Sequence, residues 1–113
     1  MHELAVTENV VAIAVQNAEK HGAKRIKQIN LVVGEMSSIV DDSVQFYFDI
    51  MSKGTLAEGA KLFFRRMPAE CICTECAKTF EPEPGTFRCP FCNGQGKVTN
   101  AGMEFYVDSI EVD

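Results

Sequence analysis

The sequence predicts an α+β fold: a small three-stranded sheet with two helices, plus an inserted four-cysteine zinc-knuckle module. Three observations predict it. Two stretches carry apolar residues at three- and four-residue steps, as helices require. Three others have the length and apolar content of strands. All five cysteines crowd between Cys71 and Cys92 in a segment otherwise poor in large apolar side chains.

The first helix is expected over residues 4–21. Leu4, Val11, Ala14, Val15 and Ala18 form its apolar stripe, while Thr7, Glu8, Gln16, Glu19 and Lys20 face water. Gly22 follows the last turn and suits a left-handed cap. Residues 25–33 read as a strand, with Ile29, Leu31 and Val33 on one face and Gln28, Asn30 and Val32 on the other. Gly34 ends it. In Asp41-Asp42-Ser43-Val44-Gln45 a second helix is expected to begin, capped by Asp42 with Gln45 reaching back. Its stripe is Val44, Tyr47, Phe48 and Met51, widened by Phe46 and Ile50. Residues 60–67 read as a second strand ended by Pro68. Residues 103–112 read as a third, with Phe105 and Val107 on one face and Tyr106, Ile110 and Val112 on the other.

Residues 69–102 differ in kind. They hold every cysteine, three of the four prolines and few large apolar residues, so the segment needs a staple in order to fold. The expected organisation is therefore an α+β domain of residues 1–68 and 103–113, with a zinc-binding module of residues 69–102 inserted before the last strand.

Composition narrows the functional classes. A chain of 113 residues has room for one modest core. Its net charge of −5 opposes broad binding to phosphate backbones, so no nucleic-acid partner is expected. No apolar run is long enough to span a bilayer, and no membrane partner is expected. The start shows no basic stretch followed by an apolar run, which points to the cytoplasm, where clustered cysteines hold metal more often than disulfides. Neither a Ser-His-Asp pattern, a P-loop nor a Gly-x-Gly-x-x-Gly motif is present, and the expectation is a protein that is not an enzyme.

Cys73-x-x-Cys76 and Cys89-x-x-Cys92 are separated by twelve residues. Each pair turns two thiolates to one side of a tight loop, and two such loops supply a tetrahedral sulfur set that suits Zn²⁺. Four sulfurs leave no open coordination position, so the site is structural. Iron in an electron-transfer site is the competing occupant of the same ligands. Cys71 is left over, as a free, partly buried thiol or as an alternate ligand or redox-sensitive residue.

Met1-His2-Glu3 offers a second metal chemistry. The α-amino group of Met1, the amide nitrogen of His2 and its imidazole Nδ1 can close adjacent five- and six-membered chelate rings. A fourth donor would come from the amide or carboxylate of Glu3. Nitrogen-rich tetragonal sets suit Ni²⁺ or Cu²⁺. Their affinity varies around neutrality, because an amine of pKa about 7.7–8.0 and an imidazole of pKa about 6.5 must both lose protons. A site at a chain end releases its ion easily, which suits delivery. His21 is assigned instead to the end of the first helix, where a cation is favoured.

Met1-His2-Glu3, the length of the first helix, His-Gly-Ala-Lys-Arg at residues 21–25, Gly34-Glu35-x-Ser37 and the paired Cys-x-x-Cys motifs occur in an order that resembles the HypA family. These are nickel metallochaperones for maturation of [NiFe]-hydrogenase, in some organisms also serving urease. The resemblance implies nickel at Met1, His2 and Glu3, and structural zinc at Cys73, Cys76, Cys89 and Cys92. It implies two partners, the nickel-handling GTPase HypB and the hydrogenase large subunit. The chain is expected as a monomer or a dimer, since a module held by flanking strands can exchange between copies. Some members carry a His directly after a cysteine pair. Asn93 stands there in this chain, so no His-linked response of the zinc site is implied. The alternative is a zinc-ribbon module that binds nucleic acid or another protein.

Overall fold

The computed structural model describes residues 3–83 and 85–113. Helix α1 (Glu3–Lys20) buries Thr7, Val10, Ala14 and Ala18, a stripe turned away from the expected one. Leu4 is exposed and Thr7 is fully buried. Thr7 can go inside because its hydroxyl donates to the Glu3 carbonyl one turn back, at 2.6 Å, leaving only its methyl for the core. The helix ends as expected. Gly22 has φ +68, Gly22 N–H donates to Glu19 and Ala23 N–H donates to Ala18, the paired bonds of a Schellman cap. His21 Nδ1 lies 2.8 Å from the Asn17 carbonyl in that last turn.

Strand β1 (Ile26–Gly34) is the middle of a three-stranded sheet, between β2 (Lys61–Met67) and β6 (Phe105–Val112). Ile29, Leu31 and Val33 enter the core, as the alternation requires, and Ile26 joins them because the pairing shifts register between Ile26 and Gln28. Helix α2 (Asp41–Met51) then crosses to β2 (Lys61–Met67), which pairs parallel with β1. A parallel neighbour needs such a crossover. Asp42 does not cap α2. The cap position is Val40, no side chain bonds there, and Gln45 donates instead to Asp49 at 2.8 Å. Arg66 accounts for the shift: its guanidinium binds both the Ile39 carbonyl and the Asp41 carboxylate, so the helix starts at Asp41 and Asp42 falls inside the first turn. The stripe of α2 is narrower than expected. Val44 and Phe48 are buried, whereas Phe46 and Ile50 lie exposed.

The chain next builds a second sheet from β3 (Cys71–Cys73), β4 (Thr79–Phe80) and β5 (Gly96–Val98), ordered β4-β3-β5. Strand β6 (Phe105–Val112) returns to pair antiparallel with β1. The pairing shifts by one residue between Asn30–Ser109 and Leu31–Val107, a bulge at Asp108. The bulge resets the alternation, so Ile110 joins Phe105 and Val107 against the core instead of facing away. Both helices cover one face of this sheet. No helix among the described residues is long and apolar enough to cross a membrane.

Buried residues form two separate clusters. The larger joins α1, α2 and the first sheet. The smaller holds Cys71, Cys73, Phe80 and Cys89. The molecule is elongated accordingly, at 54 × 25 × 17 Å. The two parts meet at a neck where the chain leaves and re-enters the first sheet. There Gly34 N–H donates to Glu104, Glu35 N–H to Met67 and Met36 N–H to Gly102, at 2.7–2.9 Å. The backbones approach so closely that a Cβ on Gly34 would lie 2.1 Å from the Gly102 carbonyl carbon. Gly34→Ala is therefore expected to lower stability by at least about 2 kcal/mol, since backbone cannot yield as a side-chain tip would. Thermal unfolding monitored by far-UV circular dichroism measures this, and an unchanged midpoint would contradict the packing at the neck.

Candidate metal centre

Two local turns of the same construction carry the four thiols. In the first, Ala77 N–H donates to the Cys73 carbonyl and Ala77 takes φ +63. In the second, Asn93 N–H donates to the Cys89 carbonyl and Asn93 takes φ +64. Each turn thus closes on a left-handed residue four positions after its first cysteine. Asn tolerates that conformation, whereas Ala adopts it at a cost of about 1–2 kcal/mol. Amide groups point at sulfur from both turns: Glu75 and Cys76 N–H to Cys73 Sγ, and Phe91 N–H to Cys89 Sγ, all at 3.4 Å. Thr74 links the two turns by donating its N–H and its hydroxyl to the Gln95 carbonyl, at 3.0 and 2.9 Å.

Cys73, Cys76, Cys89 and Cys92 come together with all sulfurs within 4.8 Å of one another. Cys73 Sγ to Cys92 Sγ is 3.4 Å and Cys76 Sγ to Cys89 Sγ is 3.7 Å. Tetrahedral metal–sulfur bonds of about 2.3 Å would set sulfurs about 3.8 Å apart, so the cluster is already close to the size a metal ion needs. None of these cysteines is in a disulfide. The amides of Cys76 and Glu75 hold the Cys73 thiol down to about 6 despite its burial. Cys92, hydrogen-bonded to Cys73, is pushed up to about 12. The amides of the first turn thus favour negative charge on the Cys73 sulfur, and the cluster could hold one ion with no open position for a reactant.

Gly94 follows the second turn. A Cβ there would lie 2.3 Å from the Glu75 carboxylate and 3.2 Å from Cys73 Sγ, so its bare backbone lets the second turn nest on the first. Cys71 stands apart from the four. It is fully buried beside Phe80 and Val98, and burial pushes its thiol up. Of the N-terminal group, Met1 and His2 lie outside the described residues. Glu3 opens α1, and its carboxylate accepts a long 3.4 Å hydrogen bond from Val40 N–H, at the start of α2. Sequence reasoning missed this neighbour, because the contact depends on Arg66 holding Ile39 and Asp41 in place.

A family model described as "Hydrogenase/urease nickel incorporation, metallochaperone, hypA" matches residues 1–112. The chain belongs to the HypA family. Its members are metallochaperones and maturation factors rather than enzymes. The hydrogenase maturation factor HypA of Caldanaerobacter subterraneus subsp. tengcongensis is 46% identical over 114 residues, covering 100% of both chains. That of Dehalococcoides mccartyi strain 195 is 46% identical over 113 residues, 100% of this chain and 95% of the relative. The fold agrees as well. The solution structure of the Ni metallochaperone HypA from Helicobacter pylori superposes with a TM-score of 0.68 at 23% identity, over 99% of this chain and 97% of that one.

For a HypA-family chain built this way, the four thiols and the leftover one should behave differently. Cys76→Ser is expected to abolish stoichiometric metal at the cluster and to disorder residues 69–102, while the helical circular dichroism of α1 and α2 persists. Cys71→Ala should keep full metal content and lose only about 1–2 kcal/mol of stability from the packing of its side chain. Metal analysis of the purified variants, paired with circular dichroism, checks both. Loss of metal in Cys71→Ala, or full metal in Cys76→Ser, would contradict the assignment.

Proposed function

We propose that the protein binds Ni²⁺ at its N-terminus and delivers it during maturation of [NiFe]-hydrogenase, with urease as a second destination. In this reading Met1 supplies the α-amino nitrogen, His2 an amide and imidazole nitrogen, and Glu3 a fourth donor. Nickel is the cargo. Cys73, Cys76, Cys89 and Cys92 hold a resident Zn²⁺ that shapes residues 69–102. Residues 1–68 and 103–113 form the nickel-binding domain. The partners are the GTPase HypB, as nickel donor, and the hydrogenase large subunit, as recipient. Free cysteines throughout fit a cytoplasmic setting.

The observation that carries this reading is the whole-length match to a nickel-incorporation family in a chain whose four clustered thiols could hold one ion of their own. A cargo ion must bind and leave without unfolding its carrier. A four-sulfur set cannot do so when roughly 10–16 kcal/mol of binding energy is also the folding energy of its module. The cargo therefore belongs on other ligands. Donors at a chain end, of mixed nitrogen and oxygen type, can dissociate stepwise.

Two variants test the site. His2→Ala should weaken Ni²⁺ binding at least about 100-fold, by removing one of the two strongest nitrogen donors, and leave zinc content unchanged. Extending the chain by one residue before Met1 should also weaken it, because the free amine no longer closes a ring with His2. Isothermal titration of the zinc-loaded protein with Ni²⁺ reads both effects. Equal affinity in the parent and both variants would refute the N-terminal site.

A further inference from the structure

Asn93-Gly94 is the one Asn-Gly pair in the chain. An Asn side-chain amide is lost most readily before glycine, which has no Cβ to shield its backbone nitrogen. In that reaction the Gly nitrogen bonds to Asn Cγ and the Cγ–Nδ2 bond breaks. The proton of the Gly N–H leaves with Nδ2 as ammonia. Water then opens the five-membered imide. Opening at Cγ gives aspartate. Opening at the main-chain carbonyl gives isoaspartate, whose backbone runs through Cβ and Cγ. Nothing is oxidised or reduced, and water is the only co-reactant.

The second cysteine turn holds this pair in an unreactive arrangement. Asn93 is exposed to water, while Gly94 is buried. Asn93 takes φ +64 and donates its N–H to the Cys89 carbonyl at 2.9 Å. The Gly94 carbonyl accepts from Cys89 N–H at 2.9 Å, and the Gly94 N–H bonds the Cys92 sulfur. The nitrogen that must attack is therefore tied to one of the four clustered thiols. It keeps its proton and cannot turn towards Asn93 Cγ while the turn persists. The apolar packing around the turn is slight, a buried cluster of Cys71, Cys73, Cys89 and Phe80. Its persistence thus depends on an ion among the sulfurs.

We propose that Asn93 is a site of spontaneous deamidation gated by the four-thiol cluster, blocked while an ion is held there and open once the ion is lost. The inference rests on the reading of Cys73, Cys76, Cys89 and Cys92 as ligands of a resident zinc. Isoaspartate at position 93 lengthens the main chain between the Asn93 N–H and the Gly94 carbonyl. Both of those groups pair with Cys89, so the two bonds no longer form together. The new carboxylate also adds negative charge next to Gly94, where the second turn nests on the Glu75 carboxylate and Cys73 Sγ. A copy that stays empty is thereby changed in one direction only and does not regain its ion.

Timed incubation of the full chain at neutral pH under reducing conditions, zinc-loaded or stripped by a chelator, tests the proposal. Zinc is measured in both samples at the start. Trypsin, cutting after Arg88 and Lys97, releases residues 89–97 as one peptide, and chromatography with fragment mass spectrometry reads aspartate and isoaspartate at position 93. The stripped chain should deamidate at Asn93 at least about tenfold faster than the loaded one, because reaction proceeds only through the opened turn. Asn100, followed by Ala101 in the same module, should stay intact in both. After ageing, the stripped parent should take up zinc only in proportion to its unmodified fraction. Asn93→Gly keeps the left-handed turn without a side-chain amide, so it should reload fully after the same treatment. Equal rates in the loaded and stripped chains would overturn the gating. Full reloading of deamidated protein, or failure of aged Asn93→Gly to reload, would overturn its consequence. A parent that holds no zinc at the start would instead overturn the reading of the four thiols, and the gating with it.

Discussion

The buried cluster of residues 69–102 consists of three cysteines and one phenylalanine. That is too little apolar surface to hold such a segment in one conformation, and the four-sulfur contact must supply the rest. Everything distal to the neck follows from this constraint. Strands β3, β4 and β5 are two or three residues long and have no independent stability. They exist where the two cysteine turns pin them. The amides aimed at Cys73 and Cys89, the left-handed Ala77 and Asn93, and the missing Cβ of Gly94 all serve to bring four sulfurs within a metal's reach.

The first sheet rests on ordinary burial. Its core draws on both helices and all three strands. The molecule therefore divides its labour: one part is stabilised by sulfur chemistry, the other by apolar packing. The backbone hydrogen bonds around Gly34, Met67 and Gly102 join them without a shared core. A resident ion held by the four thiols and a cargo ion carried at the start of α1 would make separate demands on the chain, one for permanence and one for release.

What could be read from the sequence depended on how local the cause was. The cysteine pairs act within four residues, so their spacing alone announced the cluster. Helix α1, its Schellman cap at Gly22 and the alternation of β1 are equally local. The misreadings have causes that residue type and spacing do not display, and most of them lie elsewhere in the chain. Thr7 counts as polar until its hydroxyl is bonded back to Glu3. Asp42 loses its cap role because Arg66, far along the chain on β2, fixes Ile39 and Asp41. Ile110 changes face because of a bulge at Asp108 that only the pairing with β1 defines.

The central claim is that the resident and the cargo ions occupy separate ligand sets. Metal-resolved native mass spectrometry of the untagged protein, before and after loading with Ni²⁺ and again after brief exposure to a mild chelator, tests it in one experiment. The account predicts one zinc per chain throughout, one nickel added beside it on loading, and that nickel alone removed by the chelator. Nickel that enters only as zinc leaves would contradict it.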